Sequence, residues 1–300
     1  MSPLEQRIAE KVRRIEIGTR LLSDDAFSGG VQSRFRGRGM DFDEVREYAP
    51  GDDVRAIDWN ATARAGGQRA FVKKYREERQ LTVVFVVDMS ASGALGAGAT
   101  SKRETAIEIA GVLALSALRS DHRIGLVLFT EEVEHFVPPA RGRAHALSLV
   151  KDLVGFEPRG RGTDLAGALR TVRERLKRRA VVVVFSDFLL GRDGIAASST
   201  ELRLLAHRHD VVAIRTGDAH DRMLPAVGLL TLEDAETGEV VEVDTGSKRQ
   251  RGLLEAAIRE SETRIALLAR SAGVDMLEVD TLRSYLAPLV GFLRGRGRRS

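Results

Sequence analysis

From Leu81 onward the chain alternates short apolar runs with longer amphipathic stretches. Thr82–Asp88 and Val181–Asp187 are continuous and Val-rich, a pattern that predicts strands buried on both faces. Ile124–Phe129 and Val133–Val137 read as paired strands, and Val211–Arg215 as a further one. Apolar positions at helical spacing predict a helix to about Arg119 behind a Ser101-x-x-Glu104 capping box. Further helices are expected near Ala144–Val154, Leu165–Lys177 and Ile195–His209. Leu229–Glu233 and Glu239–Val243 flank the turn-rich Asp234–Gly238 and predict a hairpin. A helix from Lys248 to Arg270, a strand Val274–Val279 and a helix Leu282–Leu293 close the pattern. Strands alternating with helices predict an α/β fold: a doubly wound, mostly parallel, Rossmann-like sheet covered on both faces, with the hairpin inserted near residues 227–243.

The first 80 residues have a different texture. Leu4, Ile8, Val12, Ile15 and Leu22 predict an amphipathic helix over 1–22, whereas 23–80 is polar and rich in Gly, Arg and Asp without a clear period. The expected organisation is an N-terminal helix plus irregular segment (1–80), a core domain (81–293) and a basic tail (294–300). Within Gly37–Trp59, Arg46, Asp52, Asp53 and Arg55 can pair across a Pro50-Gly51 turn, and Tyr48 and Trp59 are natural packing anchors. That segment reads as a structural cap, with a partner surface as the alternative. The run Lys73–Arg79 reads as a solvated connector or edge strand.

Composition narrows the class. With 43% hydrophobic and 30% charged residues the chain is globular, and 47 basic against 43 acidic residues leave a net charge of +4. Part of the excess lies in Arg294, Arg296, Arg298 and Arg299, where no aromatic residue is interleaved for base stacking. A solvated tail is expected there, and no nucleic-acid partner. No apolar run reaches the roughly 18–20 residues of a membrane span, and Leu4–Leu22 lacks the apolar core of an export signal. A cytoplasmic protein is expected. The absence of cysteine excludes disulfides and thiolate chemistry. The six histidines lack zinc-site spacing and are expected at the surface. Neither a phosphate-binding loop nor a Gly-x-Ser-x-Gly elbow is present, so no enzyme is expected.

One constellation does carry chemistry. Asp88, Ser90 and Ser92 follow the first buried run, Thr163 heads a helical stretch in Gly162-Thr163-Asp164-Leu165, and Asp187 ends the second buried run. If the two runs are neighbouring parallel strands, all five meet at the carboxyl edge of one sheet, where open α/β folds bind ligands. Oxygen donors of this kind suit Mg²⁺, or Mn²⁺, rather than zinc or copper. Three neutral hydroxyls leave a cation under-neutralised, and such a site would dock an acidic side chain of a partner. Each piece also has an ordinary explanation: a polar turn for Asp88–Ser92, a helix N-cap for Thr163, a loop-amide acceptor for Asp187. The alternatives are a metal-assisted phosphoesterase, or a scaffold whose metal site stays empty.

The segments Val83–Ser92, Gly162–Leu165 and Val184–Asp187 resemble the metal-ion-dependent adhesion site of von Willebrand factor A domains, a likeness covering roughly residues 81–218. It implies Ser90, Ser92 and Thr163 as direct ligands, with Asp88 and Asp187 acting mainly through water. Gly37–Trp59, Glu233–Glu239 and Val243–Thr245 are similar to the bacterial domain-of-unknown-function family fifty-eight. Longer relatives in that family carry membrane helices ahead of this region, and none is expected here. The family resemblance implies a MoxR-type AAA+ ATPase as partner, in the assembly or maturation of other complexes.

Overall fold

The computed structural model describes residues 41–49, 52, 57–64, 66, 69–76, 80–96, 100–218, 221 and 227–297. The expected helix over 1–22, the Pro50-Gly51 turn with Asp53 and Arg55, residues 77–79, His220 and residues 298–300 lie outside the described residues. Phe35–Gln80 form one compact unit, and the chain from Leu81 belongs to another.

In the smaller unit, β1 (Asp41–Glu47) pairs antiparallel with β2 (Phe71–Arg76), and the short helix α1 (Trp59–Arg64) lies between them in sequence. Asp58 starts α1, its Oδ1 accepting from the amides of Asn60 (3.0 Å) and Ala61 (3.2 Å). This corrects the expectation of an irregular segment. The strands were hidden because charged residues interrupt their alternation and the register shifts between Phe42 and Glu44, as at a bulge. Trp59 sits on the first turn of α1 and is 70% exposed, so it is not the packing anchor expected.

The larger unit is the predicted α/β fold. Its strands are β3 (Thr82–Asp88), β4 (Arg123–Phe129), β5 (Val133–Ala140), β6 (Val181–Ser186), β7 (Asp210–Gly217) and β10 (Asp275–Asp280). They form one sheet in the order β10-β7-β6-β3-β4-β5, parallel throughout except that β5 runs antiparallel to β4. The helices are α2 (Lys102–Arg119), α3 (Arg143–Gly155), α4 (Leu165–Arg175), α5 (Arg192–Arg208), α6 (Lys248–Ala272) and α7 (Leu286–Gly297). A separate hairpin, β8 (Leu229–Glu233) with β9 (Val240–Asp244), precedes α6.

The Val-rich runs are strands because both faces are covered. Val84 and Val86 of β3 and Val182 and Val184 of β6 pack with Leu169 of α4, Leu205 of α5 and Leu268 of α6. The intervening Phe85 and Phe185 are fully buried, their rings tilted by 47° with centres 6.5 Å apart. Each such side chain contributes roughly 1.5–3 kcal/mol by leaving water. The capping box of α2 is present in full: Ser101 Oγ accepts from the Glu104 amide (3.1 Å) and the Glu104 carboxylate accepts from the Ser101 amide (3.1 Å).

One C-terminal arginine, Arg296, departs from the expected solvated tail, whereas Arg294 is exposed. Helix α7 runs through Arg294 and Arg296 to Gly297, and Arg296 is buried. Its Nη2 donates to both carboxylate oxygens of Asp210 (2.7 Å each) and its Nη1 to Asp275 (2.7 Å). Two histidines also depart from surface roles: His122 and His209 are buried just ahead of β4 and β7. Among the described residues no helix is long and apolar enough to cross a membrane.

Candidate metal centre

Strand order fixes where the site lies. From β3 the chain winds outward through β4 and β5, then returns to β6 on the other side of β3. The carboxyl ends of β3 and β6 therefore flank the point where the winding reverses, the usual crevice for ligands in such sheets. Register pairs Val87 with Phe185, so Asp88 and Ser186 leave the sheet side by side. Ser186 Oγ donates to Asp88 Oδ2 (2.7 Å), and Asp88 Oδ1 accepts from the Ser90 amide (2.9 Å). Both oxygens of Asp88 thus orient the loop that follows β3. Burial, and then the neighbouring Asp187, push the Asp88 carboxyl up to about 6.

That loop presents Ser90 and Ser92 with their hydroxyl oxygens 3.1 Å apart, and Arg103 Nη2 holds the Ser90 carbonyl at 2.6 Å. The Thr163 loop is fastened beside it, because the Ala91 amide donates to the Arg161 carbonyl (2.8 Å). Glu134 accepts from the amides of Arg159 (2.9 Å) and Gly160 (2.9 Å), and Glu131 from that of Gly162 (2.7 Å). A side chain at Gly160 would collide with the hydroxyl of the buried Thr130, so the close approach favours glycine. The N-cap of α4 is Asp164, whose carboxylate accepts from Gly167 (2.9 Å). Thr163 is therefore free of the capping duty that was its ordinary explanation.

Asp187 is buried beyond β6 and does perform its ordinary duty, accepting from the Leu189 amide (3.1 Å). It also faces the buried ammonium of Lys102 at 3.5 Å, which contacts Asp221 as well. Arg215, clasped in two 2.7 Å bonds by Glu262, donates to the Asp187 carbonyl (3.2 Å). The next residue, Phe188, is held at φ 57°, with its ring buried and its amide donating to Ser186 Oγ (3.0 Å). A bulky residue in that region carries strain of about 1–3 kcal/mol, and the buried ring sustains it.

Sequence reasoning missed Glu236. It lies in the β8–β9 turn, and its Oε1 accepts a 2.7 Å hydrogen bond from Thr163 Oγ1. Burial raises its carboxyl from the ordinary value, while the Thr163 and Ser92 hydroxyls pull it back down. Lys102 was missed as well, being read only as part of a helix. A signal for Glu236 existed: four acids, Glu233, Asp234, Glu236 and Glu239, crowd one short turn segment in a chain whose site is expected to seek a carboxylate.

The donor set suits a hard cation. Ligands about 2.0–2.1 Å from an octahedral Mg²⁺ stand about 3 Å from one another. The 3.1 Å between Ser90 Oγ and Ser92 Oγ meets that spacing. Ser90, Ser92 and Thr163 would hold the ion directly, with Asp88 and Asp187 behind them.

Comparison with known proteins gives the family. A model described as "Protein of unknown function DUF58" matches residues 44–264. Uncharacterized protein Rv1480 of Mycobacterium tuberculosis is 31% identical over 296 residues, covering 98% of this chain and 91% of its own length. Uncharacterized protein MAV169 of Mycobacterium avium is 32% identical over 163 residues, or 53% of this chain and 94% of its own. Among solved structures, the conserved hypothetical protein BatB from Bacteroides thetaiotaomicron is similar at 13% identity and a TM-score of 0.47, covering 73% of this chain and 100% of its own. The SpRpn10 VWA domain is similar at 9% identity and a TM-score of 0.42, covering 71% and 94%. On the reach of the family model and the mycobacterial matches, the chain belongs to the DUF58 family.

Proposed function

We propose that this protein is a metal-dependent interaction module. Ser90, Ser92 and Thr163 hold Mg²⁺, or Mn²⁺, while Asp88 and Asp187 set the hydroxyls and carry the balancing charge. The bound ion supplies a positive centre on which an acidic side chain of a partner protein docks. A MoxR-type AAA+ ATPase is the partner we favour, with a role in assembling or maturing other complexes.

The observation that carries this reading is the pair of hydroxyl oxygens at 3.1 Å, backed by a buried carboxylate held by neutral donors. A buried carboxylate beside a second one is costly unless a cation joins them, and the hydroxyls leave room for that cation's charge to act outward. Lys102 meets part of the demand at Asp187 and shares its ammonium with Asp221.

The test is joint replacement, Asp88→Ala with Ser90→Ala, assayed by calorimetry with Mg²⁺ and by capture of partner proteins with and without chelator. Loss of both responses is expected. Unchanged metal affinity and unchanged capture would refute the proposal. Turnover of p-nitrophenyl phosphate with Mg²⁺ or Mn²⁺ would favour the phosphoesterase instead.

A further inference from the structure

The β8–β9 hairpin is tethered at its two ends. At the base, Thr245 is buried, and its amide and hydroxyl both donate to the Gly228 carbonyl (2.7 Å each). Along its length Leu229, Val240 and Val241 are exposed. A two-stranded hairpin with exposed faces is marginally stable by itself, so what holds the tip matters.

The tip is a preformed turn. Asp234 Oδ1 accepts from the amides of Glu236 (2.9 Å) and Thr237 (2.8 Å), and the Asp234 carbonyl accepts from Gly238 (2.8 Å), which sits at φ 74°. Two contacts then join the tip to the Thr163 loop. Arg161 Nη2 donates to the Ala235 carbonyl (2.9 Å), and Thr163 Oγ1 donates to Glu236 Oε1 (2.7 Å). The turn therefore delivers one carboxylate onto one of the three hydroxyls of the candidate metal centre.

We propose that Glu236 is the chain's own ligand for that centre, a tethered carboxylate in the position an acidic partner residue would take, so that the hairpin gates docking. This rests on the metal-docking reading above. A partner then binds by exchange: its carboxylate replaces that of Glu236, and the hairpin tip is released. The chemical class recognised is a carboxylate in both cases, and the self-ligand sets the affinity a partner must exceed.

The rival account is that Glu236 merely accepts a structural hydrogen bond. Glu236→Gln separates the two, because an amide oxygen still accepts from Thr163 while the charge is lost. The experiment is a titration of the full chain with Mn²⁺, following free Mn²⁺ by electron paramagnetic resonance, with and without added acetate. Expected for Glu236→Gln is a loss of affinity of about tenfold or more, the scale seen when a group supporting a metal site is removed. In Glu236→Ala, acetate restores part of the affinity, whereas the wild type is indifferent to acetate because the position is filled. Glu239→Gln, three residues beyond the contact, binds as the wild type does.

Equal or tighter Mn²⁺ binding by Glu236→Gln would overturn the self-ligand while leaving the metal centre standing. Acetate acting alike on the wild type and Glu236→Ala would do the same. Failure of the wild type and of both Glu236 variants to bind Mn²⁺ would bring down the metal centre, and the self-ligand with it.

Discussion

At the amino edge of the sheet, Asp210 of β7 and Asp275 of β10 close on Arg296 of α7, with three contacts of 2.7 Å. At the carboxyl edge, Asp88 and Asp187 are equally buried, but Asp88 is held by an amide and a hydroxyl. The first cluster matches planar guanidinium to carboxylate, the geometry that best compensates buried charge. The second keeps a carboxyl raised to about 6 by burial and by Asp187, beside hydroxyls able to accept a cation. Buried charge that is already matched holds the fold together. At the carboxyl edge the matching is looser: Lys102 stands 3.5 Å from Asp187, and Arg103 acts on Asp88 only through its field.

Acid should separate the two edges most widely. His122 and His209 both lie at the amino edge, and burial lowers each to about 4 against an ordinary 6.5. The unfolded chain therefore binds more protons than the fold between pH 6.5 and 4, and stability must fall across that window and level off below it. Two groups shifted this far amount to several kcal/mol. Asp88 works in the opposite direction, since its raised value makes the fold bind a proton that the unfolded chain sheds between about pH 6 and 3.8. Neither ring nitrogen of His209 has a hydrogen-bond partner among the described residues. His209→Leu should accordingly flatten the acid loss in urea unfolding measured from pH 7 to 4.

Arg296→Ala comes next. It strands Asp210 in the interior, and breaking a buried pair in this way costs about 3–5 kcal/mol. Chemical denaturation should show that loss, with the Mg²⁺ response intact if the edges are independent.

Metal should reveal the carboxyl edge. At 100 times its dissociation constant, Mg²⁺ stabilises a protein by about 2.7 kcal/mol, seen as a rise in melting temperature. Ser90→Ala with Thr163→Ala should abolish that rise, while the metal-free melting temperature falls only by what the lost Thr163–Glu236 and Ser90–Ser92 hydrogen bonds contributed, about 1 kcal/mol each.

The smallest effect has an unusual sign. Asp88→Asn removes the charge that burial disfavours, so the metal-free protein should gain on the order of 2 kcal/mol. The same variant should lose its response to Mg²⁺. A destabilised Asp88→Asn protein would show that this carboxylate is structural, like its counterparts at the amino edge.

Legibility followed the same divide. Val83–Val87 and Val181–Phe185 announced β3 and β6 because strands buried on both faces admit little but apolar residues. Ser101 and Glu104 announced α2 because the capping box is local in sequence. Asp88 and Ser90 could be proposed as neighbours for that reason too. The pairing of Glu236 with Thr163 spans 73 residues and depends on where a hairpin folds back, which no local spacing encodes. Arg296 misled for a related reason. Its Gly-rich, Arg-rich surroundings look solvated, and only two aspartates 86 and 21 residues away give it a buried place. Of the ribbon, β2 overlaps the run Lys73–Arg79 that reads as a connector or edge strand, while β1 escaped notice because charge and a bulge mask its alternation.

Asp164 and Thr163 divide two tasks between adjacent residues: one begins α4, the other offers its hydroxyl. Had a single threonine done both, any change to its hydroxyl would also have loosened the helix behind it. Splitting the roles leaves position 163 open to substitution while Asp164 keeps the helix start in place.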